Sequence, residues 1–212
     1  MNSRVKNILE WVYCIAIAII IAIFIKYFVG TPTVVQQDSM HSTLMQGDRL
    51  ILNKLPKTFK QMPKAGDIIT FEKPSKITYN DGEADLNHPT AKYDYKPSNI
   101  FESFTYNVLE INKTSYIKRV VGIPGDHIEI KEGKVYKNGS ILKEDYLPSN
   151  AKETPEAGPF TNIIVPEGTI FAMGDNREVS MDCRAFGCIP VEKVESIVSI
   201  RFWPFNKFGK VE

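Results

Sequence analysis

The chain has 212 residues, 26 of them basic and 25 acidic, for a formal net charge of +1. That length suits one domain, or one domain with an appendage, and the even charge balance points away from nucleic acid or a strongly acidic partner. Three cysteines cannot build a disulfide framework, and with only His41, His88 and His127 available they make a poor zinc site, so no metal or other cofactor is expected.

The first ten residues carry Arg4 and Lys6, and Trp11 to Ile25 contains no charge. With Tyr27, Phe28 and Val29 the apolar stretch 11–29 approaches the ~20 residues that a bilayer core requires. Trp11 and Tyr27 stand near its ends, where amphipathic rings favour the headgroup region, and Lys26 is placed to snorkel outward. Phe28-Val29-Gly30 lacks the small residues of a cleavage site, so an uncleaved single-pass anchor is expected rather than a removable leader. Arg4 and Lys6 place residues 1–10 in the cytoplasm and residues 30–212 on the extracytoplasmic side of the cell membrane.

Beyond the anchor the chain reads as β structure. "RLILN", "GDIITF", "YIKRVVGI", "HIEI", "KVYKNGSIL", "TNIIV", "TIFAMGD" and "SIVSIRFW" are short runs rich in Ile, Val, Phe and Tyr, separated by turn residues. Asn138-Gly139 marks a hairpin. No long helical periodicity follows the anchor, so the fold class is mostly β, an antiparallel-sheet domain behind one transmembrane helix. From Pro74 to Lys113 the chain is poor in aliphatics and rich in Lys, Asn, Asp and Tyr, which predicts an inserted segment, 74–113, projecting from the core and tuning substrate choice. The terminal "IRFWPFNKFG" bunches Phe202, Trp203, Phe205 and Phe208, as either a core strand or a membrane-touching surface.

Three stretches carry chemistry. "SMHSTLMQGDR" holds Ser39, "YIKRVVGIPGD" holds Lys118, and "MGDNREVSMDCR" holds Asp175, Asn176, Ser180, Asp182 and Arg184. A serine without a partnered histidine can be activated by a lysine, provided burial keeps the amine neutral. Pattern alone leaves the choice of cation open. On a strand over 116–121, Tyr116, Lys118 and Val120 share one face and Ile117, Arg119 and Val121 the other, so each face carries one cation.

The order of these motifs resembles bacterial type I signal peptidases. Ser39-Met40-His41-Ser42-Thr43-Leu44, Gly47-Asp48-Arg49, Lys118-Arg119-Val120-Val121-Gly122-Ile123-Pro124-Gly125-Asp126 and Gly174-Asp175-Asn176-Arg177 through Arg184 follow that family's succession behind an anchor. The resemblance implies a membrane-bound serine endopeptidase that removes signal peptides from exported preproteins, cutting after small residues. Ser39 would be the nucleophile and Lys118 the general base. Ser180 would orient the lysine amine, and Asp182 and Arg184 would form a supporting ion pair. The oxyanion hole would combine the Ser39 N–H with Gln37, where relatives carry a serine or glycine; losing one such donor can cost about 100-fold in rate. Ser42 replaces the family's proline and Cys183 its serine. Cys183 and Cys188 can pair or stay free. The implied partners are preproteins and membrane lipid. The alternative is a signal-peptidase-like scaffold for surface-pilus assembly, with pilin subunits as partners. A self-cleaving repressor of the same dyad class is opposed by the anchor.

Overall fold

The computed structural model describes residues 3–76, 84–149, 151 and 153–211. Helix α1 (Ser3–Phe24) runs into one wider turn of π-helix, Ile25–Val29. The most apolar 18-residue window within Arg4–Val29 has a mean hydropathy of 2.7, and none of that window is buried in protein. A helix that is apolar all round and covered by nothing suits a bilayer rather than a soluble core. The helix begins at Ser3, so the described residues before Trp11 continue it; Met1 and Asn2 lie outside the described residues.

Among the described residues twelve strands follow, and their sheet pairings are all antiparallel. The larger sheet is ordered β1-β2-β11-β3-β4-β9-β10, with β12 (Gly209–Lys210) added to β11. Its strands are β1 (Gly30–Val34), β2 (Arg49–Asn53), β3 (Ile68–Glu72), β4 (Ser115–Gly122), β9 (Thr169–Met173), β10 (Ile189–Pro190) and β11 (Val194–Trp203). A four-stranded sheet, β7-β6-β5-β8, contains β5 (His127–Lys131), β6 (Lys134–Lys137), β7 (Ser140–Ile141) and β8 (Asn162–Ile164). Each of the eight apolar runs forms a strand or, for 134–142, a hairpin. In that hairpin Asn138 and Gly139 both take left-handed φ, 53° and 79°, as a two-residue turn matched to strand twist requires.

One core cluster joins the larger sheet to the smaller, through Ile69, Phe71, Val120 and Phe171 on one side and Ile128, Ile130, Val135 and Ile163 on the other. A second packs Met40, Leu44, Leu50, Leu52, Ile68 and Val198. β2 shows why: Leu50 and Leu52 are buried while Arg49 and Ile51 are exposed, the period of two expected of a half-covered strand.

The 74–113 segment departs from the expectation that it projects from the core. Residues 77–83 lie outside the described residues, but the part after them is laced into the domain. Ala91 is in the main core, its N–H donates to Cys188 O (2.8 Å), and Cys188 N–H donates to Pro89 O (2.6 Å). Among the described residues, short α-helices also follow the anchor: α2 (Leu55–Thr58), α3 (Ile100–Asn107) and α4 (Cys183–Phe186). α3 was not expected, yet its start is written in the sequence. Asn99 Oδ1 accepts from Glu102 N–H (2.8 Å), and the Glu102 carboxylate accepts from Ser98 N–H, a capping arrangement. Trp203, Phe205 and Phe208 are exposed, so they are not core.

Candidate active site

Ser39 sits in a single 3₁₀ turn, Asp38–Met40, on the loop between β1 and β2. The loop closes on itself where Val35 N–H donates to Asp48 O and Gly47 N–H donates to Val35 O, both 2.9 Å. Met40 and Leu44, fully buried, pin it to the second core. Asp48 accepts from Met45 N–H (3.1 Å) and from Arg201 Nη1 (2.9 Å), which also donates to Thr43 O (3.0 Å). The Gly-Asp-Arg segment thus fixes the shape of the loop that holds the serine.

Lys118 lies on β4 opposite Ile69 of β3, and its Nζ is 2.6 Å from Ser39 Oγ. The lysine is 1% exposed. The Tyr116 ring is 5.3 Å from the amine and packs in turn against Phe71 and Phe186. Burial among these groups pushes the Lys118 pKa from 10.5 down to about 8; Asp182, Cys183 and Asp175 oppose the shift and Arg184 adds to it. Arg119, on the other face, is also buried but committed elsewhere. Its Nε donates to Asp175 Oδ1 (3.0 Å), Nη2 to Asp175 Oδ2 (2.8 Å) and Nη1 to Gly66 O (3.1 Å). The two cations differ in their partners: the lysine meets a hydroxyl, the arginine a carboxylate. Thr43 Oγ1 also donates to Asp175 (2.6 Å), tying the serine loop to the arginine.

The 174–184 loop closes the site from β9. Asn176 N–H donates to Ser39 O and its Nδ2 to Asp38 O, both 3.1 Å. Gly174 permits this approach, because a Cβ there would lie 2.4 Å from Ser39 O and 2.2 Å from Ser180 Oγ. Asp182 and Arg184 are fully buried and doubly bonded, Nε to Oδ1 and Nη2 to Oδ2, each 2.8 Å. Asp182 also accepts from Gly174 N–H (3.1 Å), while Arg184 donates to the carbonyls of Pro155 and Arg177. Despite complete burial the Asp182 pKa is lowered, because Arg184 and these N–H groups outweigh desolvation. Among the described residues the buried Ser180 hydroxyl meets no partner at hydrogen-bonding geometry, so it does not orient the Lys118 amine as expected, although it lies near enough to Asp182 to help lower that carboxylate's pKa. Cys183 and Cys188 are both buried free thiols; burial raises the pKa of each, that of Cys188 to about 12.

Sequence reading missed a buttress behind this loop. Arg177, buried, donates to Glu144, to Thr154 Oγ1 (3.0 Å) and to Gly174 O (3.0 Å). The Tyr146 ring stands 4.0 Å from the Arg119 guanidinium. Arg177 and Gly174 fell inside a recognised motif; Glu144, Tyr146 and Thr154 lie far off in sequence with no spacing to reveal them.

A groove of about 460 Å³ leads away from Ser39, bounded by Thr31, Thr33 and Gln37 on one side and by Ser115, Tyr116 and Ile117 on the other. β1 is an edge strand, and β4 meets β9 only from Arg119 onward, so both walls are strand edges. Gln37 is exposed beside the serine.

Residues 8–203 match the family model described as signal peptidase, peptidase S26. Signal peptidase IB of Staphylococcus aureus (strain COL) is 32% identical, covering 96% of this chain and 93% of its own. Signal peptidase I of Bacillus licheniformis is 31% identical over 100% and 97%. A solved signal peptidase I from Enterococcus faecalis V583 aligns at 26% identity with a TM-score of 0.42, covering 66% of this chain and 98% of that one. The chain belongs to the S26 signal peptidase family. Nothing in these comparisons supports the pilus-assembly alternative.

Proposed function

As a member of the S26 signal peptidases, the chain, we propose, is a membrane-anchored serine endopeptidase that removes signal peptides from exported preproteins, with Ser39 as nucleophile and Lys118 as base. The observation that carries this reading is the 2.6 Å approach of Ser39 Oγ to a buried amine whose pKa has fallen to about 8. With the amine neutral, the hydroxyl donates to it, and the proton passes to Lys118 as Oγ attacks the scissile carbonyl. The Ser39 N–H and Gln37 supply donors to the oxyanion. The resulting ammonium returns its proton to the leaving amine, and a water deprotonated by the same lysine then opens the acyl-enzyme.

The substrate enters as an extended strand along the groove, where the free edges of β1 and of the Ser115–Ile117 part of β4 offer backbone partners. Asp182 and Arg184 hold the closing loop and touch no reacting atom. Ser180 lies beside Gly174 and the Ser39 carbonyl, and its hydroxyl makes no hydrogen bond to the lysine amine in this structure. The span Arg4–Val29 sits in the cell membrane, with lipid as its partner and the catalytic domain on the extracytoplasmic side. Ser39→Ala and Lys118→Ala should each lower preprotein cleavage by at least about 1,000-fold while the circular dichroism spectrum stays unchanged. Near-normal turnover by Lys118→Ala would remove the base from this mechanism.

A further inference from the structure

Helix α3 is laid down with its polar side inward. Glu102 and Tyr106 face the domain: Glu102 accepts from Tyr95 Oη (2.8 Å), and Tyr106 packs on Tyr95 at 4.2 Å with the Lys113 amine 5.2 Å from its ring. Ile100, Phe101 and Phe104 lie within about 100° of one another around the helix axis, and they are 90%, 77% and 42% exposed. An amphipathic helix that turns its apolar stripe away from its own core marks an interaction surface.

Its position identifies the partner. Lys26, in the last turn of the apolar span, donates to Leu109 O (3.0 Å) and pairs with Glu110 (3.4 Å), which is also bound by Lys54 (2.6 Å). The end of α3 is therefore fastened to the end of the anchor; Lys26, expected to reach toward headgroups, reaches this segment instead. The anchor's last turn is also held by the stretch around α2, through Lys54 N–H to Val29 O (2.9 Å) and Thr58 Oγ1 to Phe28 O (2.8 Å). That stretch exposes Phe59 and Met62 beside the exposed Lys57 and Lys60. Apolar side chains interleaved with lysines around the exit of a membrane span make the pattern of an interfacial surface.

We propose that α3 is an interfacial helix: Ile100, Phe101 and Phe104 enter the lipid of the outer leaflet beside the anchor, giving the 74–113 segment a second hold on the membrane. The inference rests on the reading of Arg4–Val29 as a membrane span, and native Cys14, exposed on that helix, tests that premise separately because Cys183 and Cys188 are buried.

The full chain would be reconstituted in phosphatidylglycerol/phosphatidylethanolamine vesicles and spin-labelled at Cys14, or at position 101 in a Cys14→Ser/Phe101→Cys variant. Cys14→Ser/Lys143→Cys, labelled on the far loop, supplies the aqueous reference. Collision rates with oxygen and with a water-soluble nickel chelate would then be compared. The proposal expects the ratio of oxygen to nickel collisions at position 101 to exceed that of the Lys143→Cys label several-fold and to approach that of Cys14. A label at 101 that behaves like the aqueous reference, while Cys14 reads as lipid, would overturn the interfacial helix and leave the anchor standing. Low collision rates with both reagents would overturn it in favour of a protein partner or a second copy. A Cys14 label that reads as water would defeat the anchor itself, and the proposal with it.

Discussion

The Lys118 amine is costly to the fold and useful to the chemistry for the same reason. Its folded pKa of about 8 lies below the 10.5 of the free side chain, so between those values the unfolded chain binds more protons than the native one. Stability should therefore rise with pH across that window and be flat, for this group, below it. The shift corresponds to about 3 kcal/mol. Lys118→Met, similar in volume and without charge, should lose activity and unfold at higher urea concentration at neutral pH, by up to about 3 kcal/mol. A variant that was inactive and also less stable at pH 7 would mean that the lysine is solvated or paired in the native state.

Among the elements, the closing loop carries the fully buried Asp182–Arg184 ion pair beside those of Arg119 with Asp175 and Arg177 with Glu144. Arg184→Met would leave the Asp182 carboxylate without its counter-charge in a site with no exposure. Breaking such a pair costs about 3–5 kcal/mol, and equilibrium unfolding should show a loss of that size; a change below about 1 kcal/mol would mean the pair is screened as surface pairs are. The strands were legible because alternation and β-branched composition are local signals, and Asn138-Gly139 named its own turn. Ser39 and Lys118 were singled out by motif order, although the strand pattern offered Arg119 equally. What distinguishes them in the structure is Asp175, brought to Arg119 by the pairing of β4 with β9, a contact no local pattern contains. Helix α3 was missed for another reason. Its exposed side is the apolar one, so it reads as no ordinary surface helix, and only the Asn99–Glu102 cap announced it. The same long-range dependence hid the hold of Glu144 on Arg177.

Across the whole molecule, anchor, groove and dyad form one path. The groove is lined by both Ser39 and Lys26 of the span, so on the proposed function a substrate still held in the bilayer by its apolar segment can lie along it. Protease added outside wall-stripped cells should digest the catalytic domain and leave a membrane-protected N-terminal fragment; full protection of the domain would place it on the other side. On the proposed mechanism this path serves one proton transfer, and the pH dependence of kcat/KM for the reconstituted full chain tests it most directly. With a peptide substrate that does not titrate between about pH 6 and 11, a range enclosing both lysine values, activity should rise and level off with an apparent pKa of about 8. A profile still climbing with the 10.5 of an unperturbed lysine would show a solvated amine and contradict the Ser39–Lys118 mechanism.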